Sequence, residues 1–386
     1  MNLKCASLVI LIVLMTSCSS PNRNPEELTV LDLSQDLSIK SEMTLSQIAD
    51  DINYTKLESK PGCFIERIHQ YSISKNYILI YERKQSQVLL FNRKGEFLRN
   101  ISRSGKGPGE FFYPYDVRIS RNGMFILIHF TNKVLRYGFD GKFIGETTLP
   151  GYAACVDTYD DGLVAFFTSS KSVSMDSYSI IFFDWDGKVT GKLGKRNWDR
   201  LESGYTTRRS MFYYLDDELR INEGYYDTVY AVKPDRSFEP RIGIIRSYDF
   251  DLFRRPRDEM DINEFQLDVW MEMPDYLFVN GAYKKMIHPM CLVKESGKIY
   301  HIPFNKELKT YGIPNDLDGG PPFWPSRYQD GSAYSFQYSY RLKSVLDNDL
   351  IDNADFKDQE LRDRLIDFKE NLSDEDGPVL IEIRLK

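Results

Sequence analysis

Three observations in the sequence predict an all-β fold made of propeller blades. A strand–turn–strand unit recurs at a fixed 46-residue step, a second strand pair precedes each copy, and aromatic residues make up 14% of the chain. Aromatic side chains favour strands, and four strands per unit of roughly 40 to 50 residues is the spacing of blades, not of solenoid turns. From Asp50 to Lys386 there is room for six or seven such units at roughly 50 residues each; six is preferred because two insertions also need space.

The first residues set the address. Lys4 gives a positive start, Ala6 to Met15 form an apolar run, and Thr16-Ser17-Cys18 follows directly. That run is too short to cross a bilayer and has the layout of a secretory signal. A cysteine straight after small residues is similar to a bacterial lipoprotein signal, with Met15 where leucine is commonest. Residues 1–17 are therefore expected to be a signal peptide and Cys18 the lipidated first residue of the mature chain. Residues 19–29 are polar, carry two prolines and show no periodicity. They read as tether, with residues 18–47 as the lipidated tether and 48–386 as the propeller domain.

The repeat itself runs Val88-Leu-Leu-Phe-Asn-Arg-Lys-Gly-Glu-Phe-Leu98, then Val134 to Ile144, then Ile180 to Thr190. In each copy an apolar strand ends in a turn closed by glycine (Gly95, Gly141, Gly187), where positive φ is needed, and a second strand follows. A looser fourth copy, Val229 to Phe238, has lost the glycine, and a fifth is expected from Lys298 to Asn305. The preceding strand pairs are Ile73 to Tyr81, Val117 to Phe130 around Arg121-Asn-Gly123, and Val156 to Thr168 around Asp160-Asp-Gly162.

Two short helical insertions are expected. Residues 251–275 are charge-rich and break the strand rhythm. Residues 353–372 place Leu361, Leu365, Phe368 and Leu372 on one helical face, opposite Gln359, Asp363 and Glu370. The chain finishes in a strand, Pro378 to Lys386, and an unmatched strand, Ile52 to Glu58, lies near its start. An open ring would expose a sheet edge, so these N- and C-terminal strands are expected to close the same last blade.

Gly105-Lys-Gly-Pro-Gly-Glu-Phe111 and Asp318-Gly-Gly-Pro-Pro-Phe-Trp-Pro325 carry a family resemblance. With the charged helix before the end and the closing Pro-Val-Leu strand, they resemble the six-bladed β-propeller lipoproteins of gut Bacteroides and relatives, related in shape to NHL-repeat propellers. The resemblance spans about residues 48–386 and implies a cell-envelope lipoprotein. It transfers no catalytic residues.

Composition narrows the functions. A net charge of −7 argues against nucleic acid, whose binders need a basic face. Cys63, Cys155 and Cys291 remain once Cys5 and Cys18 are set aside, an odd and widely spaced set that reads as buried thiols. Gly105-Lys-Gly-Pro-Gly lacks P-loop spacing, and Pro108 removes a backbone donor. No G-x-S-x-G occurs, and the four histidines are far apart, so no catalytic residue and no metal set is assigned. An axial channel can hold Ca²⁺ or Zn²⁺ through single ligands from separate blades; Glu110, Asp116, Asp157 and His288 would be the candidates.

Aromatic clusters on expected loops, Phe111 to Tyr115, Phe323-Trp324 and Tyr334 to Tyr340, are the best sign of binding. Arg103, Lys106, Glu110, Tyr113, Tyr115, Trp324 and Arg327 are the candidate ligand-binding residues. The expected protein is a monomeric envelope lipoprotein, membrane-bound through its lipid. It would bind a glycan, peptide or outer-membrane protein without catalysis. The alternative is a lyase- or lactonase-type propeller using a channel metal.

Overall fold

The computed structural model describes residues 28–32, 42–101, 105–167, 178–195, 211–215, 217–222, 228–245, 266–283 and 286–386. Strands β1 (Thr29–Asp32) and β2 (Ala49–Lys56) precede blade I, which comprises β3 (Ile68–Ile73), β4 (Tyr77–Glu82), β5 (Gln87–Asn92) and β6 (Phe97–Asn100). Blade II comprises β7 (Asp116–Ile119), β8 (Ile126–Phe130), β9 (Lys133–Tyr137) and β10 (Phe143–Thr148). Blade III comprises β11 (Cys155–Tyr159), β12 (Gly162–Phe166), β13 (Tyr178–Phe183) and β14 (Val189–Lys195). Blade IV comprises β15 (Met211–Leu215), β16 (Glu218–Asn222), β17 (Thr228–Val232) and β18 (Phe238–Ile245). Blade V comprises β19 (Gln266–Glu272), β20 (Tyr276–Tyr283), β21 (Met286–Val293) and β22 (Lys298–His301). A small hairpin, β23 (Phe304–Asn305) with β24 (Thr310–Tyr311), leads to blade VI, β25 (Arg327–Gln329) and β26 (Ser332–Gln337). Helices α1 (Ser339–Leu346), α2 (Asp349–Asp352) and α3 (Gln359–Glu370) follow, and β27 (Val379–Leu385) ends the fold.

The ring closes as the terminal strands predict. Blade VI has the order β2-β27-β26-β25, with Lys56 opposite Val379 and Ala49 opposite Leu385. Strand β2 and the last strand, β27, thus share one antiparallel ladder, which closes the ring.

Each seam between blades has its own apolar filling. Leu79, Leu90, Val117 and Ile128 meet between blades I and II; Leu127, Val134, Leu163 and Ile181 between II and III. Val164, Phe182, Leu219 and Ile221 fill the next seam, and Val229, Ile242, Leu277 and Met290 the one after it. Leu57, Ile80, Phe91 and Leu380 join VI to I. Alternation along each strand sends successive side chains to opposite neighbours, so every inner strand serves two seams. Full burial of one such Phe or Leu contributes about 1.5–3 kcal/mol.

Several expectations need correction. Residues 251–265 lie outside the described residues, but 266–272 form the inner strand β19 instead of continuing an insertion. Its acidic residues masked the alternation, since Glu272 is buried in an ion pair with Lys294 at 2.6 Å. The fifth repeat begins at Met290, not Lys298: Gly297 (φ +66) occupies the turn-glycine position, and Lys298 already belongs to the outer strand. The single helix expected in 353–372 is α3, with Leu361, Leu365 and Leu372 buried; α1 and α2 add to it.

Within the stretch expected to act as tether, Thr29–Asp32 pair in parallel with β18 as a fifth strand of blade IV, and Leu31 is buried in the blade IV–V seam. Leu45 and Met43 are also buried. The three thiols are free; Cys63 and Cys291 are buried and Cys155 half-buried.

Candidate functional site

The propeller presents two unlike faces near its axis. One carries the turns that join the first and second strands of each blade. The other carries the connections from one blade to the next.

On the hairpin-turn face, a cavity of about 530 Å³ opens at the channel. It is charged: Lys75, Arg118, Arg121, Asp157, Asp217, Arg327 and Asp330 line it. At its base Arg118 donates from Nη2 to Asp116 Oδ2 at 2.5 Å and from Nη1 to Asp157 Oδ2 at 2.9 Å. Burial opposes the arginine charge, but the two carboxylates outweigh it and raise the pKa above the ordinary arginine value. Asp116 and Asp157, considered as channel metal ligands, therefore sit on a guanidinium. Glu110 lies elsewhere, in the blade I–II connection, and the His288 side chain lies outside the described residues. Among the described residues no three His, Cys, Asp or Glu side chains converge in a metal-ligand arrangement.

On the connection face, a pocket of about 490 Å³ lies where blades V, VI and I meet. Its walls are aromatic, from Tyr71, Tyr311, Trp324, Phe336 and Tyr338, and its polar groups are Asn280, Thr310, Ser326, Ser335 and Gln337. None of its lining residues among those described is charged. The rings are held by neighbours: Trp324 meets Phe278 edge-on at 5.6 Å, Tyr71 meets Phe336 at 4.8 Å, and Tyr338 stacks on Tyr340 at 6.0 Å. The Tyr338 hydroxyl accepts the Ile68 N–H at 3.0 Å, and the Tyr71 hydroxyl bonds Ser326 Oγ. Burial pushes the Tyr71 phenol up to about 12, so it stays neutral and adds no charge to the pocket.

The residues singled out from sequence do not form one cluster. Arg103 lies outside the described residues. Lys106 and Glu110 belong to the blade I–II connection, where Glu110 Oε2 accepts the Gly107 N–H at 2.7 Å. Gly109 in the same loop has φ +73, its carbonyl accepts the Tyr137 hydroxyl, and Phe111 is fully buried. The glycine-rich motif thus folds onto itself and packs blade I against blade II. Tyr113 and Tyr115 are exposed on the connection face, whereas Arg327 lies in the charged channel with its guanidinium 5.6 Å from the Tyr71 ring. Only Trp324 enters the uncharged pocket. Tyr71, Asn280 and Tyr311 were missed, since they come from three elements far apart in the chain and no local pattern marks them. Tyr338 falls inside the aromatic run noted from sequence.

The second motif is structural as well. Buried Asp318 accepts from the Tyr54 hydroxyl at 3.0 Å, Asn315 Nδ2 at 2.7 Å and the Gly320 N–H at 2.8 Å. Arg362 of α3 donates to the Asp318 carbonyl at 3.0 Å. Three segments meet there, and the knot leads into buried Phe323 and into Trp324 at the pocket wall.

One protein of known crystal structure shares this architecture. A Bacteroides fragilis protein of known crystal structure aligns at TM-score 0.72 with 19% identity, covering 93% of this chain and 100% of that one. A DUF4221 family member from Bacteroides vulgatus aligns at TM-score 0.42 with 11% identity over 65% of this chain and 84% of the other. A virginiamycin B lyase from Staphylococcus aureus aligns at TM-score 0.38 with 14% identity over 67% and 77%. No curated protein matches the sequence. The model of the family described as Domain of unknown function (DUF4934) matches residues 28–384, nearly all of the propeller, and the chain belongs to that family.

Proposed function

We propose that this chain is a cell-envelope lipoprotein, anchored through Cys18, whose propeller binds a neutral glycan in the connection-face pocket without catalysis. The pocket lining carries the reading. Five aromatic rings with only amide and hydroxyl partners suit a pyranose, whose C–H faces stack on rings and whose hydroxyls pair with neutral polar groups. No described lining residue offers a counter-charge to an anionic or cationic ligand. The acids that chemistry would need are committed elsewhere, Asp116 and Asp157 to Arg118 and Glu110 to a backbone N–H. For the address, the support is the signal-like start of the sequence, together with the Bacteroides fragilis neighbour, which is described as an exported protein.

Titration calorimetry of the mature protein against neutral polysaccharides tests the site, with Trp324→Ala as the control. Binding that Trp324→Ala weakens at least about tenfold supports the proposal; silence toward every neutral glycan overturns it. Labelling with palmitate, lost in Cys18→Ser, tests the anchor.

A further inference from the structure

Away from the pocket, the connection face carries aromatic rings that the fold does not bury. Tyr113, Tyr115 and Tyr152 are 66%, 50% and 57% exposed, and the rings of Tyr115 and Tyr152 meet edge to face at 6.4 Å. Exposed rings contribute little to folding, so their fixed presentation calls for another explanation.

Presentation here is fixed. The Tyr115 N–H donates to the His129 carbonyl at 2.8 Å, and its own carbonyl accepts from Gln70 Nε2 at 2.9 Å. Its ring rests 5.7 Å from that of His129, which is 1% exposed. Tyr113 adopts φ +49, a left-handed conformation costly for a bulky residue, and it is held by donation of its N–H to Ser86 Oγ at 3.4 Å.

One strand, β3 of blade I, links the platform to the pocket. Ile68 lines the pocket, and Gln70, two residues along the same strand, holds Tyr115. Two residues of strand span only about 7 Å. From these relationships we infer that the Tyr115–Tyr152 platform is a second set of subsites, and that the ligand is an oligosaccharide crossing blade I from the Trp324 pocket. This deepens the glycan reading above and rests on it. No charged side chain belongs to either ring set, although Arg67 and Arg83 lie near His69 along the path. The crossing chain is thus neutral, as in the pocket.

Size ladders of α-glucan, xylan and mannan oligosaccharides, dimer to octamer, provide the test. For the ladder that binds, affinity should rise at least about tenfold from dimer to hexamer on the wild type. In the Tyr115→Ala/Tyr152→Ala double variant the hexamer should bind no better than the dimer, with dimer affinity and melting temperature unchanged. Trp324→Ala should weaken every length. A ladder that is flat on the wild type, or unaffected by the double variant while Trp324→Ala still weakens it, overturns the extended site and leaves the pocket standing. Absence of binding by all three ladders overturns the extended site; the pocket falls only with silence toward every neutral glycan.

Discussion

Arg118 on the inner strand of blade II reaches across the seam to Asp157 of blade III, 2.9 Å from Nη1 to Oδ2, while Nη2 holds Asp116 of its own strand. Two buried carboxylates and a half-buried guanidinium meet near the axis, and the group between the carboxylates is a cation supplied by the chain. That arrangement ties two blades by direction as well as by apolar contact.

Replacing Arg118 with Met should therefore leave two carboxylates without their partner. Loss of one side of a buried ion pair typically costs about 3–5 kcal/mol. Urea denaturation of Arg118→Met should show a loss of that size, and adding Asp116→Asn and Asp157→Asn should recover most of it. A loss below about 1 kcal/mol would mean that water already screens the trio.

His129 gives the fold a pH dependence with a definite sign. Its ring is buried, and burial pushes its pKa down to about 4, with Asp116 opposing and Arg118 adding to the effect. The unfolded chain takes up this proton near pH 6.5 and the folded protein does not, so folding is disfavoured as pH falls. Stability should decline from about pH 6.5 and level off near pH 4, by about 3 kcal/mol in all. His69, also lowered chiefly by burial, acts in the same direction. The measurement is thus a difference: denaturation midpoints between pH 7 and 4.5 should fall less steeply in His129→Phe than in the wild type. Parallel slopes would rule His129 out as the source.

The Tyr54–Asp318 hydrogen bond links the ring-closing strand β2 to the loop that bears Trp324. Tyr54→Phe removes one of three donors to a buried carboxylate, a change worth about 1.5–3 kcal/mol when the acceptor is charged. Asp318→Ala should cost more, since it also frees Asn315 and the Gly320 N–H. A double-mutant cycle measures the coupling, which should exceed about 1 kcal/mol. Additive losses would show that the two groups act independently.

Sequence periodicity carried most of the architecture, because blades repeat and turn glycines mark their register. It failed where a local rule gave way to tertiary context. Asp268 and Glu272 made β19 read as a charged insertion, yet Glu272 is neutralised by Lys294, which follows β21 two strands away. Leu31, in a segment with no periodicity of its own, is buried only because β18 offers an edge. The pocket was the least legible part. Tyr71, Asn280 and Tyr311 lie on three elements brought together by ring closure, whereas Phe111 to Tyr115, adjacent in sequence, divide between the core and the surface.

The repeat makes one further comparison available. Gly95 closes the outer turn of blade I at φ +84, and a Cβ placed there would stand 2.1 Å from the Lys56 carbonyl oxygen. At the equivalent turn of blade IV the glycine is replaced by Arg236, which nevertheless takes φ +62. The arginine is compensated: it donates to the Thr190 carbonyl and covers the Phe182 ring at 4.8 Å. Gly95→Ala meets both strain and a backbone clash on the strand that closes the ring, so it should cost more than about 2 kcal/mol. Arg236→Gly relieves about 1 kcal/mol of left-handed strain but loses a hydrogen bond and a cation–π contact of similar total size. Its stability should lie within about 1 kcal/mol of the wild type. Thermal melts of the two variants decide the matter: a strongly stabilised Arg236→Gly, or a harmless Gly95→Ala, would show that the turn conformation and not its contacts governs these positions.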